Sequence, residues 1–185
     1  NYRKKFDVIT ANNVFGHNPD LSSFAKGVKN LLTEESIFVT EISYAPTILK
    51  KNYFLGTVFH EHTSYHSLTP LKKFLEKLGL KIIKCEPNKL QGGSLVCFIA
   101  KTDSVFKEDK SVSRILKQEK RDGFLDSKKI KKYLVKLQIL KKNLGREINK
   151  ISLKKEKKIF AFGSSVSSTT FFTYFNLTKK VDFII

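Results

Sequence analysis

The order in which apolar patterns alternate between residues 6 and 100 constrains this chain more than any other feature. Residues 6–15 read as a buried strand running into a polar turn. Asn18, Pro19 and Asp20 form a helix-start signal, and Leu21, Phe24, Ala25, Val28, Leu31 and Leu32 then recur at helical spacing. Residues 37–42 make the next strand. Residues 43–66 hold no strong periodicity and read as an irregular or short-helical excursion. Thr69 followed by Pro70 reads as an N-cap with proline at the first helical position. That helix carries Leu71, Phe74, Leu75 and Leu78 and closes at Gly79. Residues 81–85 form a strand, 91–93 a turn and 94–100 an apolar strand. Such alternation implies an α/β sheet. The short Gly-Gly link implies that the last two strands are antiparallel, with 94–100 antiparallel to its neighbours.

From about 104 to 155 the pattern is helical. Ile130, Tyr133, Leu134, Leu137, Leu140, Leu144, Ile148 and Ile151 mark one apolar stripe, and Asp122-Gly123 breaks the stretch into two helices. Residues 158–163 read as a strand entering a turn, 164–170 open a helix and 181–185 begin another strand, a second β-α-β unit cut short. The chain therefore divides into a sheet-bearing part (1–101), a Lys-rich helical connector (102–157) and the start of another α/β unit (158–185).

The 185 residues, 41% hydrophobic, suffice for one core with a small second lobe. There is no Met, and the last residues are the apolar run Val181 to Ile185, so the chain is expected to belong to a longer protein. No run of 18 apolar residues offers a membrane-spanning helix. Cys85 and Cys97 lie in strand-like apolar stretches without metal-ligand spacing, and read as buried thiols in a reducing cytoplasm. The net charge of +18 is unevenly placed: 13 basic and 8 acidic side chains in residues 1–100, but 20 and 8 in residues 101–158. The second stretch is nearly all Lys, with only Arg114, Arg121 and Arg146 and scattered aromatics. A nucleic-acid site usually adds Arg forks and stacking aromatics, so this reads as a solvated face.

The densest chemical cluster runs from Phe59 to His66 and holds three of the four histidines within seven residues. Imidazole accepts a proton near neutral pH, and a carboxylate such as that of Glu61 can orient it. His62 and His66 are four apart, but the zinc-protease pattern needs Glu directly after the first His, whereas here Glu61 precedes His62. His17 follows the first strand, and ligands in open α/β sheets sit at strand C-termini, although a lone loop histidine is more often just a solvated one. Gln91-Gly92-Gly93-Ser94 is either a plain turn or a loop that lets backbone approach a ligand. Gly163-Ser164-Ser165 could aim backbone N–H groups at a phosphate, but it is neither a dinucleotide fingerprint nor a P-loop.

Four segments, in order, resemble the S-adenosylmethionine-dependent C-methyltransferases of nucleotide-linked deoxysugars. Residues 6–17 look like that family's fourth core strand and the turn beside the cofactor. Phe59-His60-Glu61-His62-Thr63-Ser64-Tyr65 resembles its Tyr-His-Glu-His signature. Gln91-Gly92-Gly93-Ser94-Leu95 resembles its His-Gly-Gly-Ser-Leu loop, and residues 162–174 resemble the opening of its C-terminal domain. The departures are Phe59 for Tyr, Gln91 for His, Val96 for Arg, and Ser167 and Ser168 for Lys and Gly.

The resemblance implies an N-terminal zinc domain, a cofactor-binding middle domain and a C-terminal Rossmann-like domain. This chain would carry the C-terminal part of the middle domain's Rossmann-like sheet, the connector and the start of the last domain. It would lack the zinc domain and the glycine-rich cofactor loop. The implied reaction is methylation of a carbon next to a ketone on a nucleotide sugar, through an enolate. The resemblance makes His62 the base, with Glu61 orienting a histidine and His17 and His60 positioning the sugar. It sets Ala11, Asn12 and Asn13 against the methionine part of S-adenosylmethionine. Phe59, Tyr65, Gln91, Gly92, Gly93, Ser94 and Gly163 face the substrate. Two rival readings remain, a nucleic-acid-binding module built on the Lys-rich helices and a metal-dependent hydrolase built on His62 and His66, and a third is a non-catalytic remnant of the family.

Overall fold

The computed structural model describes residues 6–51, 54–89, 92–124, 126–153 and 157–185, with backbone alone at 54 and 55. The chain forms two compact units, Asn1–Lys51 with Glu61–Phe124, and Asn52–His60 with Leu125–Ile185.

The first unit is a four-stranded mixed sheet with helices. Strands β1 (Val8–Asn12), β2 (Ile37–Ser43), β3 (Leu80–Asn88) and β4 (Ser94–Lys101) lie in the order β1-β2-β4-β3. β1 and β2 are parallel, in register from Val8↔Ile37 to Asn12↔Glu41. β4 is antiparallel to both β2 and β3, as the short Gly-Gly link implies. β2 alternates buried and half-buried residues along its whole length, the signature of a sheet with one face on the core. That face supplies Phe38, Ile42, Ile82, Leu95, Cys97 and Ile99. Cys85 and Cys97 stand opposite each other on β3 and β4, buried free thiols with their sulfurs 3.8 Å apart.

Three helices complete this core. In α1 (Leu21–Leu31) the Asp20 side chain accepts the Ser23 N–H at 2.9 Å, and Ala25 and Val28 are buried. α4 (Leu68–Lys77) buries Leu68, Leu71 and Leu75, and Gly79 follows it in the left-handed region at φ +75°. The expected N-cap at Thr69 is corrected: the cap is Ser67, which places Thr69 and Pro70 inside the helix. The reason is a tertiary one. The Glu119 carboxylate accepts the Leu68 and Thr69 N–H groups, so the helix can begin earlier than its local sequence suggests. α5 (Lys110–Asp122) packs on β3 and α4 and adds Val112 and Ile115 to the core. Its entry is set by a bulge near Ile83 in β3, whose carbonyl accepts the Asp109 N–H at 2.7 Å. Between β2 and α4 the excursion contains α2 (Ala45–Lys50) and α3 (Phe54–Thr57), so its short-helical reading holds.

Gly123 ends α5 at φ +58°, the expected break, and α6 (Ser127–Ser152) follows in the second unit. Of its apolar stripe, Tyr133 and Leu137 are buried, whereas Leu134 and Leu140 are half exposed. β5 (Phe160–Ala161) and β6 (Phe183–Ile184) are parallel, with α7 (Val166–Phe175) between them, so the short β-α-β unit is present. Ser165 and Ser168 form a capping box at the start of α7. No described helix is long and apolar enough to cross a membrane.

Candidate active site

Because β1 and β2 are parallel, their C-terminal ends open on the same edge of the sheet. Three hydrogen bonds fix the chain as it leaves that edge. The Thr40 hydroxyl donates to the Ala11 carbonyl at 2.8 Å, and the Asn13 N–H donates to the Glu41 carbonyl at 3.0 Å. The His17 N–H then closes a 3-10 turn (Phe15–His17) onto the Val14 carbonyl at 3.0 Å. Asn13 sits at φ +55°, a conformation that Asn tolerates better than most residues. Asn12 is exposed, and Phe15 is fully buried beneath the turn.

The Gly16 carbonyl then gathers the far end of the excursion. It accepts the Thr63 N–H at 3.0 Å, the Ser64 N–H at 3.2 Å and the Thr63 hydroxyl at 3.0 Å. This clasp sets the His62 ring 4.5 Å from that of His17, edge to face at 75°. Tyr65 lies 5.5 Å from His62 on another side, again edge to face. Two histidines separated by 45 positions in the chain thus meet beside the ends of β1 and β2, with a phenol next to them. Glu61 is exposed at the margin of this group.

His66 belongs to the core instead. Its ring packs 5.3 Å from Phe15, and its Nε2 lies 3.1 Å from the Ser64 hydroxyl. Burial lowers its pKa to about 4, so the ring is neutral at physiological pH. The Ala45 N–H donates to its carbonyl at 2.9 Å. Among the described residues no three His, Cys, Asp or Glu side chains are grouped to hold a metal ion.

Of the glycine loop, Gln91 lies outside the described residues. Gly92 and Gly93 both have positive φ. Gly93 is buried against α2: a Cβ there would stand 2.2 Å from Thr47 Cγ2. The Gly93 carbonyl accepts the Tyr44 N–H at 3.2 Å. Ser94 is buried, and its hydroxyl donates to Glu41 Oε1 at 2.5 Å, an oxygen that also accepts Asn88 Nδ2 at 2.9 Å. Phe59 and His60 belong to the second unit, as does Gly163. Gly163 adopts φ +105° between β5 and α7, where an open concavity of about 610 Å³ is lined by Phe162, Phe171 and Phe172 among others.

Two acidic residues near this edge escaped the sequence reading. Glu41 is the one charged side chain in strand β2, a visible irregularity in an apolar run. Glu119 continues the Val112–Ile115 face of α5 at helical spacing, a carboxylate where an apolar residue is expected. It is buried and accepts the Tyr44 hydroxyl at 2.8 Å. Burial, reinforced by that hydrogen bond and the Glu119 charge, pushes the Tyr44 phenol far above its ordinary range.

The C-methyltransferase C-terminal domain family matches residues 89–185, more than half of the chain. The chain belongs to the C-methyltransferase family. C-methyltransferase NovU of Streptomyces niveus is similar to it, 35% identical over 109 residues. That alignment covers 59% of this chain and 26% of the relative, so the chain spans about a quarter of the relative's length.

Proposed function

We propose that the protein containing this C-methyltransferase chain transfers a methyl group from S-adenosylmethionine to a carbon beside the ketone of a nucleotide-linked deoxysugar. The observation that carries this reading is the meeting of His17 and His62 at the C-terminal ends of two parallel strands. The sheet order β1-β2-β4-β3, with β4 antiparallel, supports reading the first unit as part of a Rossmann-like methyltransferase sheet. On this reading residues 1–101 supply the end of the methyltransferase core, and 102–157 form the connector whose first helix docks on the sheet. Residues 158–185 open a second Rossmann-like domain.

The residues at the end of β1 fit the amino-acid part of the cofactor. Asn12 is exposed there with both a donor and an acceptor on its amide, while the Ala11 carbonyl is held by the Thr40 hydroxyl and the Asn13 N–H by the Glu41 carbonyl. The cofactor supplies an electrophilic methyl group when bound. The rest is work for the chain's own residues. The carbon acid is weak, so an imidazole must take its proton while a donor holds the oxygen on which charge develops. His62 is the base, Glu61 orients a histidine of the cluster, and His17 faces the oxygen. Tyr65 borders the sugar, and Gly92 is assigned to it on the family's motif, whereas Gly93 and Ser94, buried against Thr47 and bonded to Glu41, hold the loop in shape. For Phe59, His60, Gln91 and Gly163 the assignment to substrate handling rests on the family's motifs alone.

His62→Asn keeps shape and polarity but removes the base. In the complete protein, turnover of a ketosugar nucleotide should fall by roughly 100-fold or more, with cofactor affinity unchanged. Wild-type turnover in His62→Asn would overturn the base assignment. Loss of a bound metal together with activity in both His62→Asn and His66→Asn would favour a hydrolase instead.

A further inference from the structure

We infer that Glu119 is a positioning residue that clamps both ends of the excursion carrying His62; this rests on the proposed role of His62. Its two oxygens collect four donors from two separate stretches of chain. Oε1 accepts the Tyr44 hydroxyl at 2.8 Å and the Leu68 N–H at 2.6 Å. Oε2 accepts the Thr69 N–H at 2.9 Å and the Thr69 hydroxyl at 2.5 Å. Tyr44 is the first residue after β2, and Leu68 and Thr69 are the first two of α4. The segment that enters at Tyr44 and leaves at Leu68 is the one that presents His62 and Tyr65. One buried carboxylate, from a helix far along the chain, therefore ties its entrance to its exit.

The geometry suits this task. Glu119 is only 5% exposed and Tyr44 8%, so water does not compete for these bonds. A carboxylate at the N-terminus of α4 satisfies orphan N–H groups and faces the positive end of the helix dipole. Next to the clamp, the Ala45 N–H on the His66 carbonyl and the Tyr44–His66 bridge join the two ends directly. The Gly16 clasp at Thr63 and Ser64 then transmits that fixed exit to the His17–His62 pair. A small displacement of a catalytic group is enough to cost about 100-fold in rate.

Glu119→Gln tests the clamp, because whichever way the amide turns, its NH₂ opposes a backbone N–H of α4. Tyr44→Phe is the milder variant, removing one donor and leaving the helix cap intact. Both are compared with the wild-type complete protein by hydrogen–deuterium exchange and by methyl-transfer kinetics. Exchange across residues 61–66 should rise by about 10-fold in Glu119→Gln and less in Tyr44→Phe, with β1 and α1 unchanged. Turnover should fall by roughly 10-fold in Glu119→Gln, with little further loss when the change is added to His62→Asn. Exchange at 61–66 that stays at the wild-type level, or rises equally throughout the sheet, would overturn the clamp. So would unchanged turnover in Glu119→Gln despite faster local exchange. If His62→Asn is fully active while 61–66 loosen and turnover falls in Glu119→Gln, the base assignment fails and the clamp stands.

Discussion

His66 and His62 sit four positions apart, yet burial separates their chemistry. His66 is 9% exposed against Phe15, and its pKa falls from 6.5 to about 4 because the interior penalises the imidazolium. The unfolded chain binds a proton near pH 6.5, whereas the folded one resists until about pH 4. The stability associated with neutral His66 is therefore complete above about pH 6.5 and is lost as the pH falls towards 4. The loss approaches about 3 kcal/mol. His66→Gln should be less stable at neutral pH but should show a flatter decline between pH 7 and 4.5. Urea unfolding of both proteins across that range checks this, and parallel profiles would contradict it. A cluster of three histidines was plain in the sequence. Which of them is core was not, because that depends on Phe15 and Tyr44, which only folding brings to residue 66.

The same division between local and distant causes runs through the secondary structure. Strand alternation, the helix-start signal at residues 18–20, the helix stops at Gly79 and Gly123 and the antiparallel β4 were all legible, since each is written in neighbouring residues. The start of α4 was not, because its first N–H groups are satisfied by Glu119, about fifty positions away. The Gly92-Gly93 loop was ambiguous for a similar reason. Open backbone suggests room for a ligand, but at Gly93 the space is taken by Thr47, with Cγ2 and Cβ at 2.2 and 2.8 Å from where a Cβ would be. Gly93→Ala combines that clash with a φ of +126°, which L side chains rarely adopt. Such strain and overpacking should destabilise the first unit by about 2–4 kcal/mol. Shortening the clashing side chain with Thr47→Ala should restore only part of it, because the Cβ remains. Chemical denaturation of the two single variants and the double variant checks this, and a neutral Gly93→Ala would contradict it.

At the scale of the whole molecule, the charge and the chemistry lie on different elements. α6 carries nine Lys and Arg against one Glu, while the paired histidines lie beside the sheet. The family match places the chain in the C-methyltransferase family, and the proposed function turns on how a methyl group reaches carbon. The most direct test uses the complete protein with a nucleotide-linked ketodeoxysugar and S-adenosylmethionine labelled with ¹³C in the methyl group, followed by NMR of the product. The label is expected on the carbon next to the ketone, with one proton lost from that carbon. Label on oxygen or nitrogen, or on a carbon that has lost no proton, would contradict it.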